Sequence, residues 1–380
     1  MELAEATNLQ FSFSDTRIAP ARQQALRIGL ITFVFTALLV VYILSQFDFN
    51  PLSFAWIGTR FSELNPQGTT GYDGQFAYYI ARDGFAAAPY LDNPSWRFQR
   101  ILYPALARIF MLGNPQLLPW ILIAINVLAH SVAAGLLTYL LVLRRAPAFG
   151  GLIYALWMGN LFGVRLDLHE PLCLAFALAA IVAYAHRRDR WVVICLMLST
   201  ATKEIGLVFT AALALHAFWE RRWNRGVYLI SGAALFTVIW WAILLFIFGS
   251  LPFGTPAARL TVIPFIGMRV VESGFDLFML ILWLVLPAIG MTIMGLRYFW
   301  QRRELSLGLC LLMGGTYFAT IMPPATWFDP IAAFRVATSL VVTSILFIGW
   351  HSPKQMKWLA ILWMPTALVF FMLIQVLRPA

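Results

Sequence analysis

Charge is the scarcest ingredient of this chain. Only 12% of its 380 residues are Asp, Glu, Lys or Arg, about half the fraction that covers an ordinary soluble domain. With 61% hydrophobic residues and a mean hydropathy of +0.77, a soluble fold is excluded. Cysteine is nearly missing as well. Cys173, Cys195 and Cys310 all fall inside apolar runs, where a thiol acts as a small hydrophobe, so neither a disulfide framework nor a cysteine metal site is expected. No Walker loop, HExxH or GxSxG segment occurs, which removes the most specific nucleotide, metalloprotease and serine-nucleophile signatures. The N-terminal stretch is polar through about Arg27 and lacks a short apolar core with a small-residue cleavage site. The first span is therefore expected to be an uncleaved anchor.

What the chain has in abundance is apolar runs near the length that crosses a bilayer. They fall at 28–47, 117–143, 148–164, 171–186, 191–202 paired with 205–219, 226–249, 276–296, 305–322, 333–350 and 358–376. The expected fold is all-α, a polytopic transmembrane helical bundle of about 11 spans. The pair flanking Lys203 is too short for either half to cross comfortably, so it reads as a re-entrant hairpin or two short tilted helices.

The net charge of +10 arises from short basic clusters between these runs, which is how topology is encoded, and no nucleic-acid partner is expected. Arg17, Arg22 and Arg27, then Arg144-Arg145, Arg187-Arg188-Arg190, Arg221-Arg222-Arg225, Arg297-Arg302-Arg303 and Lys354-Lys357 recur at every second connection. The positive-inside rule then puts the N-terminus in the cytoplasm and the C-terminus outside, in a cell (inner) membrane. The opposite connections hold Asp73, Asp83, Asp92, Asp167, Glu170, Glu204, Glu272, Asp276 and Asp329.

The longest connection, about 48–116, is the first outer loop. Its Pro and Gly residues exclude one long helix, but 75–83 and 96–112 suit short interfacial helices. It opens with Gly71-Tyr72-Asp73-Gly74-Gln75-Phe76-Ala77-Tyr78-Tyr79. Asp73 has two readings: a cap for the helix starting near Gln75, or a general base whose proton affinity is raised by desolvation against Tyr72, Phe76, Tyr78 and Tyr79. Those rings, with Gln75, also offer a surface on which a sugar could stack.

Asp92 reads as a turn residue, a second carboxylate of the site or an arginine partner. Arg97 and Arg100, three apart, share a face if helical and either grip a phosphate or snorkel to headgroups. Arg165, Asp167, His169 and Glu170 cluster at the outer end of the third span, where the carboxylates and histidine could hold a divalent ion. The alternative there is an Arg165 salt bridge and a helix start at Pro171. Lys203-Glu204 lies at membrane depth, either lining a polar cavity or locking the hairpin as an ion pair. Arg335, about one turn inside a late span after Trp327-Phe328-Asp329-Pro330, needs an anionic partner that a substrate phosphate would supply. Arg259 and Arg269 are weaker candidates for that role. The expensive polar groups converge on one side of the membrane.

Taken together, the single large outer loop after the first span and its early acidic residue resemble the GT-C superfamily of integral membrane glycosyltransferases. YDGQFAYYIA followed by LDNPSWRFQRILYPALA is similar to a bacterial group of polytopic proteins linked to cell-surface glycopolymer formation. RLDLHEPLCLAFALAAIVAY and STATKEIGLVF resemble the middle region of such enzymes. The resemblance implies one GT-C-like transmembrane domain over 1–380 and transfer of a sugar from a polyprenyl-phosphate donor to a glycan, lipid or protein acceptor at the outer face. Asp73 matches the inverting general base, while Arg335, Lys203, Arg97 and Arg100 match the groups that stabilise the departing lipid phosphate. Many relatives carry two adjacent acidic residues, whereas Asp73 is flanked by Tyr72 and Gly74; dependence on a divalent cation (Mg or Mn) therefore stays open. Two competing readings are a transporter or flippase for a lipid-linked saccharide, with polar groups strung across the bilayer, and a non-catalytic GT-C-like subunit of a membrane complex. In the latter, Asp73 would sit in a buried ion pair or the pocket would be filled by the protein's own side chains.

Overall fold

The computed structural model describes residues 15–254 and 261–376, and within these every regular element is helical. Arg259 lies outside the described residues. Among the described residues six helices are long and apolar enough to cross a membrane: Arg17–Ser45, Pro115–Leu143, Trp223–Phe248, Gly274–Arg302, Pro330–His351 and Pro353–Ile374. The chain is thus a multi-pass helical protein.

The count of about 11 spans is not reached by these criteria, and the reason is length. The apolar runs at 171–186, 205–219 and 305–322 become helices of 16, 14 and 14 residues, roughly 21–24 Å at 1.5 Å per residue, against about 30 Å of hydrocarbon. The run at 148–164 is broken. Gly150–Leu156 and Met158–Arg165 are separated by Trp157 in an extended conformation. Its indole N–H reaches the Phe334 carbonyl and Thr338 hydroxyl, each at 3.1 Å, so the break is fixed by a neighbouring helix.

The first helix packs along Leu118–Leu143. At their crossing a Cβ on Gly135 would stand 3.0 Å from the Ala25 carbonyl, and one on Gly29 would stand 3.3 Å from the Ser131 carbonyl. Without a hydrophobic force between helices in lipid, such close backbone approach is how they adhere. The Pro330–His351 helix is the most enclosed, with 83% of its apolar window buried, whereas Trp223–Phe248 is peripheral at 17%. The enclosed helix carries Arg335.

The first loop folds as short pieces over one end of the bundle. Gly74–Asp83, Pro94–Phe98 and Leu102–Phe110 are helices, in the two stretches where amphipathic sequence predicts them. Pro94–Phe98 begins at an Asn93 cap whose side chain accepts from the Trp96 N–H. It ends before Arg100, so Arg97 and Arg100 do not share a helix face.

Candidate functional site

The loop is docked by backbone contact. Gly74 sits so close to the bundle that a Cβ there would stand 2.1 Å from the Leu166 carbonyl. Gln75, 1% exposed, uses its amide as a staple: Oε1 accepts from the Gly58 N–H at 3.0 Å and Nε2 donates to the Thr70 carbonyl at 2.7 Å. Both ends of the side chain are therefore engaged in holding the loop. Asp73 follows from this docking. It precedes the Gly74–Asp83 helix without capping it through its side chain, and its carboxylate instead meets two arginines. Oδ1 lies 3.0 Å from Arg97 Nη1, and Oδ2 lies 3.2 Å from Arg335 Nη2.

From there a connected set of charges runs inward. Arg335 Nε donates to Glu170 Oε1 at 2.9 Å, and Lys203 Nζ donates to the same oxygen at 2.6 Å. Glu170, Lys203 and Arg335 are 1%, 3% and 4% exposed, and Asp73 is 31% exposed. Arg97 also holds Asp92 through two bonds of 2.7 Å and lies over the Phe76 ring at 4.1 Å. Arg100 grips Glu204 through both oxygens at 2.9 and 2.7 Å. Lys203 and Glu204 thus point to different partners and do not form the mutual pair that would lock their hairpin. Tyr72 donates to Asp329 Oδ2 at 2.5 Å, and Asp329 Oδ1 accepts from the Ile331 N–H. That carboxylate ties the loop to the start of the helix bearing Arg335.

These groups surround a cavity of about 820 Å³ lined by Tyr72, Asp73, Asp92, Arg97, Arg100, Lys203, Glu204, Asp329 and Arg335, with Leu207, Trp241, Phe253, Phe318 and Met322 on its apolar side. Residues up to 262 positions apart are thereby brought together. The aromatic side wall comes from helices with no polar signal in sequence, so it was not legible there.

Burial alone would raise the proton affinity of Asp73, but the Arg97 and Arg335 guanidiniums outweigh it and hold the carboxyl well below the ordinary carboxylate range. This corrects the expectation that neighbouring aromatics raise it. Tyr72 goes the other way, its hydroxyl pushed well up by burial.

Tyr79, Asp167 and Glu170 do not line the cavity, and Glu170 reaches it only through Lys203 and Arg335. Tyr79, 2% exposed, packs on Tyr90 at 5.4 Å and beneath the Arg82 guanidinium; it supports the loop. Asp167 is fully buried in a left-handed turn at φ 49°, and both carboxylate oxygens lack a hydrogen-bond partner. The turn is not helical, so Asp167 and Glu170 do not share a face. Arg165 does not salt-bridge it either; its Nη1 donates to the Ser53 carbonyl at 2.7 Å. Burial raises the Asp167 carboxyl well above its usual range, and the nearby Arg165 charge offsets this only in part.

The donor set does not fit a divalent ion. Among the described residues no three His, Cys, Asp or Glu side chains converge as ligands, and Asp73, Asp92, Glu170 and Glu204 are each bound by a cation. No protein-family model, curated protein or solved structure matches this chain.

Proposed function

We propose that this protein is a membrane glycosyltransferase, of GT-C type by resemblance, acting on a polyprenyl-phosphate-linked sugar at the extracytoplasmic face. The observation that carries the proposal is Asp73 held by Arg97 and Arg335 at the wall of an open cavity, with Lys203 beside Arg335 on Glu170. A carboxylate next to several fixed cations is what inverting transfer from a lipid phosphate requires. The membrane orientation from the basic clusters and the full number of crossings, with the short helices counted as tilted or re-entrant, belong to the same proposal.

The geometry suggests how a carboxylate with low proton affinity becomes a base. A donor phosphate entering the cavity competes with Asp73 for the same guanidiniums. As Arg97 and Arg335 turn to the phosphate, the charge holding Asp73 down is neutralised, while burial, which raises its proton affinity, persists. Asp73 then accepts the proton of an acceptor hydroxyl as that oxygen bonds to the anomeric carbon. The bond from that carbon to the phosphate oxygen breaks, and the lipid phosphate departs against Arg335 and Lys203. Configuration inverts. Positioning and electrostatics suffice, with donor and acceptor held in one cavity.

A second reading is favoured by one specific observation. The two arginine contacts of Asp73 are also what a non-catalytic subunit with a structural ion pair would have. The open cavity counts against that, since the protein's own side chains do not fill it. A transfer assay separates the two: purified protein, a panel of polyprenyl-phosphate sugars, and wild type compared with Asp73→Asn. The proposal expects transfer by wild type and a loss of at least about 10²-fold in the variant. Near-normal transfer by the variant rejects Asp73 as the base, and absence of transfer from every donor supports the subunit.

A further inference from the structure

Among the described residues five cations line the cavity, and four are already held by carboxylates. Arg97 holds Asp73 and Asp92, Arg100 holds Glu204, Lys203 holds Glu170, and Arg335 holds Glu170 and Asp73. Arg60 is the fifth. It pairs with no carboxylate among the described residues; its guanidinium lies over the Phe61 ring, 5.8 Å from the ring centre. It is exposed, whereas Lys203 and Arg335 are buried, so it stands toward the open end of the cavity.

Its position is built. The Arg60 N–H donates to the Thr69 carbonyl at 3.0 Å, and Thr59 and Thr69 exchange backbone-to-hydroxyl bonds of 3.1 and 3.0 Å. The Gln75 staple closes the base of this small loop. Phe61 packs edge-on against Phe76 at 5.0 Å, and Phe76 in turn supports Arg97. The loop thus brings an aromatic ring, with an unclaimed guanidinium over it, into the lining of the cavity that also holds Asp73. An aromatic face suits a sugar ring, and a guanidinium suits a carboxylate or phosphate.

We infer that Arg60 and Phe61 form an acceptor subsite selecting a saccharide that bears an anionic group. This rests on the glycosyl-transfer reading, and the following test fails separately from it. Full-length protein in nanodiscs of zwitterionic lipid is titrated with a neutral oligoglucoside, an oligoglucuronide and a glycerol-phosphate oligomer. Wild type should bind one of the anionic probes about five- to tenfold more tightly than the neutral one; which arm responds identifies carboxylate or phosphate. Arg60→Ala should erase that preference and leave neutral binding unchanged, and Arg60→Lys should retain most of it. Retention of polyprenyl phosphate should be equal in all three proteins, because Arg60 is not part of the proposed clamp; its failure in wild type would count against the transferase reading alone. A wild type without preference, or an Arg60→Ala protein that keeps it, overturns the subsite. So does a preference abolished in wild type by adding anionic lipid to the disc, which would assign Arg60 to headgroups.

Discussion

Glu170→Gln is the most informative perturbation of the charged core. Glu170 is 1% exposed and its Oε1 neutralises both Lys203 at 2.6 Å and Arg335 at 2.9 Å. Arg335 keeps Asp73 when Glu170 loses its charge, but Lys203 has no second carboxylate within salt-bridge distance, because Glu204 is held by Arg100. Removing one partner of a buried pair costs about 3–5 kcal/mol. At about 2 °C per kcal/mol for a long chain, Tm should fall by roughly 6–10 °C. Lys203→Met should cost less, about 1–3 kcal/mol, since Glu170 retains Arg335. The double variant should lie close to Lys203→Met alone, a coupling of about 2 kcal/mol or more. The assay is unfolding of detergent-solubilised protein followed by tryptophan fluorescence, for which 15 tryptophans give ample signal. Single effects that simply add within about 0.5 kcal/mol would refute the idea of one shared buried carboxylate.

Other outcomes follow from the same geometry. Arg97→Met removes the larger of the charges holding Asp73 down, so the acid limb of kcat/KM should move to higher pH; a limb that stays put or moves down contradicts this. Asp167 has the opposite sign. Its folded carboxyl is raised by burial, so its contribution to stability is complete below the ordinary carboxylate pKa and is lost as pH rises through the raised value. Asp167→Asn cannot ionise and should show a flat Tm across that window, whereas parallel curves for the two proteins would count against a buried proton there. Gly74→Ala should lower stability by about 1–3 kcal/mol by forcing a methyl toward the Leu166 carbonyl. Protease susceptibility of the first loop would rise with it, and unchanged cleavage would show that the loop tolerates the shift.

Much of this was legible in the chain. Apolar runs gave the helices, and the turn residues around 48–116 gave short helices in place of one long one. Partner choice was not. Asp73 and Arg335 are 262 positions apart and Glu170 and Arg335 are 165 apart, and no local spacing encodes which carboxylate meets which cation. Trp157 carries no helix-breaking propensity; its break comes from an indole bond to another helix. The low proton affinity of Asp73 was hidden for the same reason, since its aromatic neighbours are adjacent in sequence and its arginines are not.

The central claim is that these cations are arranged for the phosphate of a lipid. Native mass spectrometry of the full-length protein with polyprenyl phosphate tests it most directly. The account expects a one-to-one adduct in wild type that is lost in Arg335→Met and strongly weakened in Arg97→Met. Equal retention in all three proteins would contradict it.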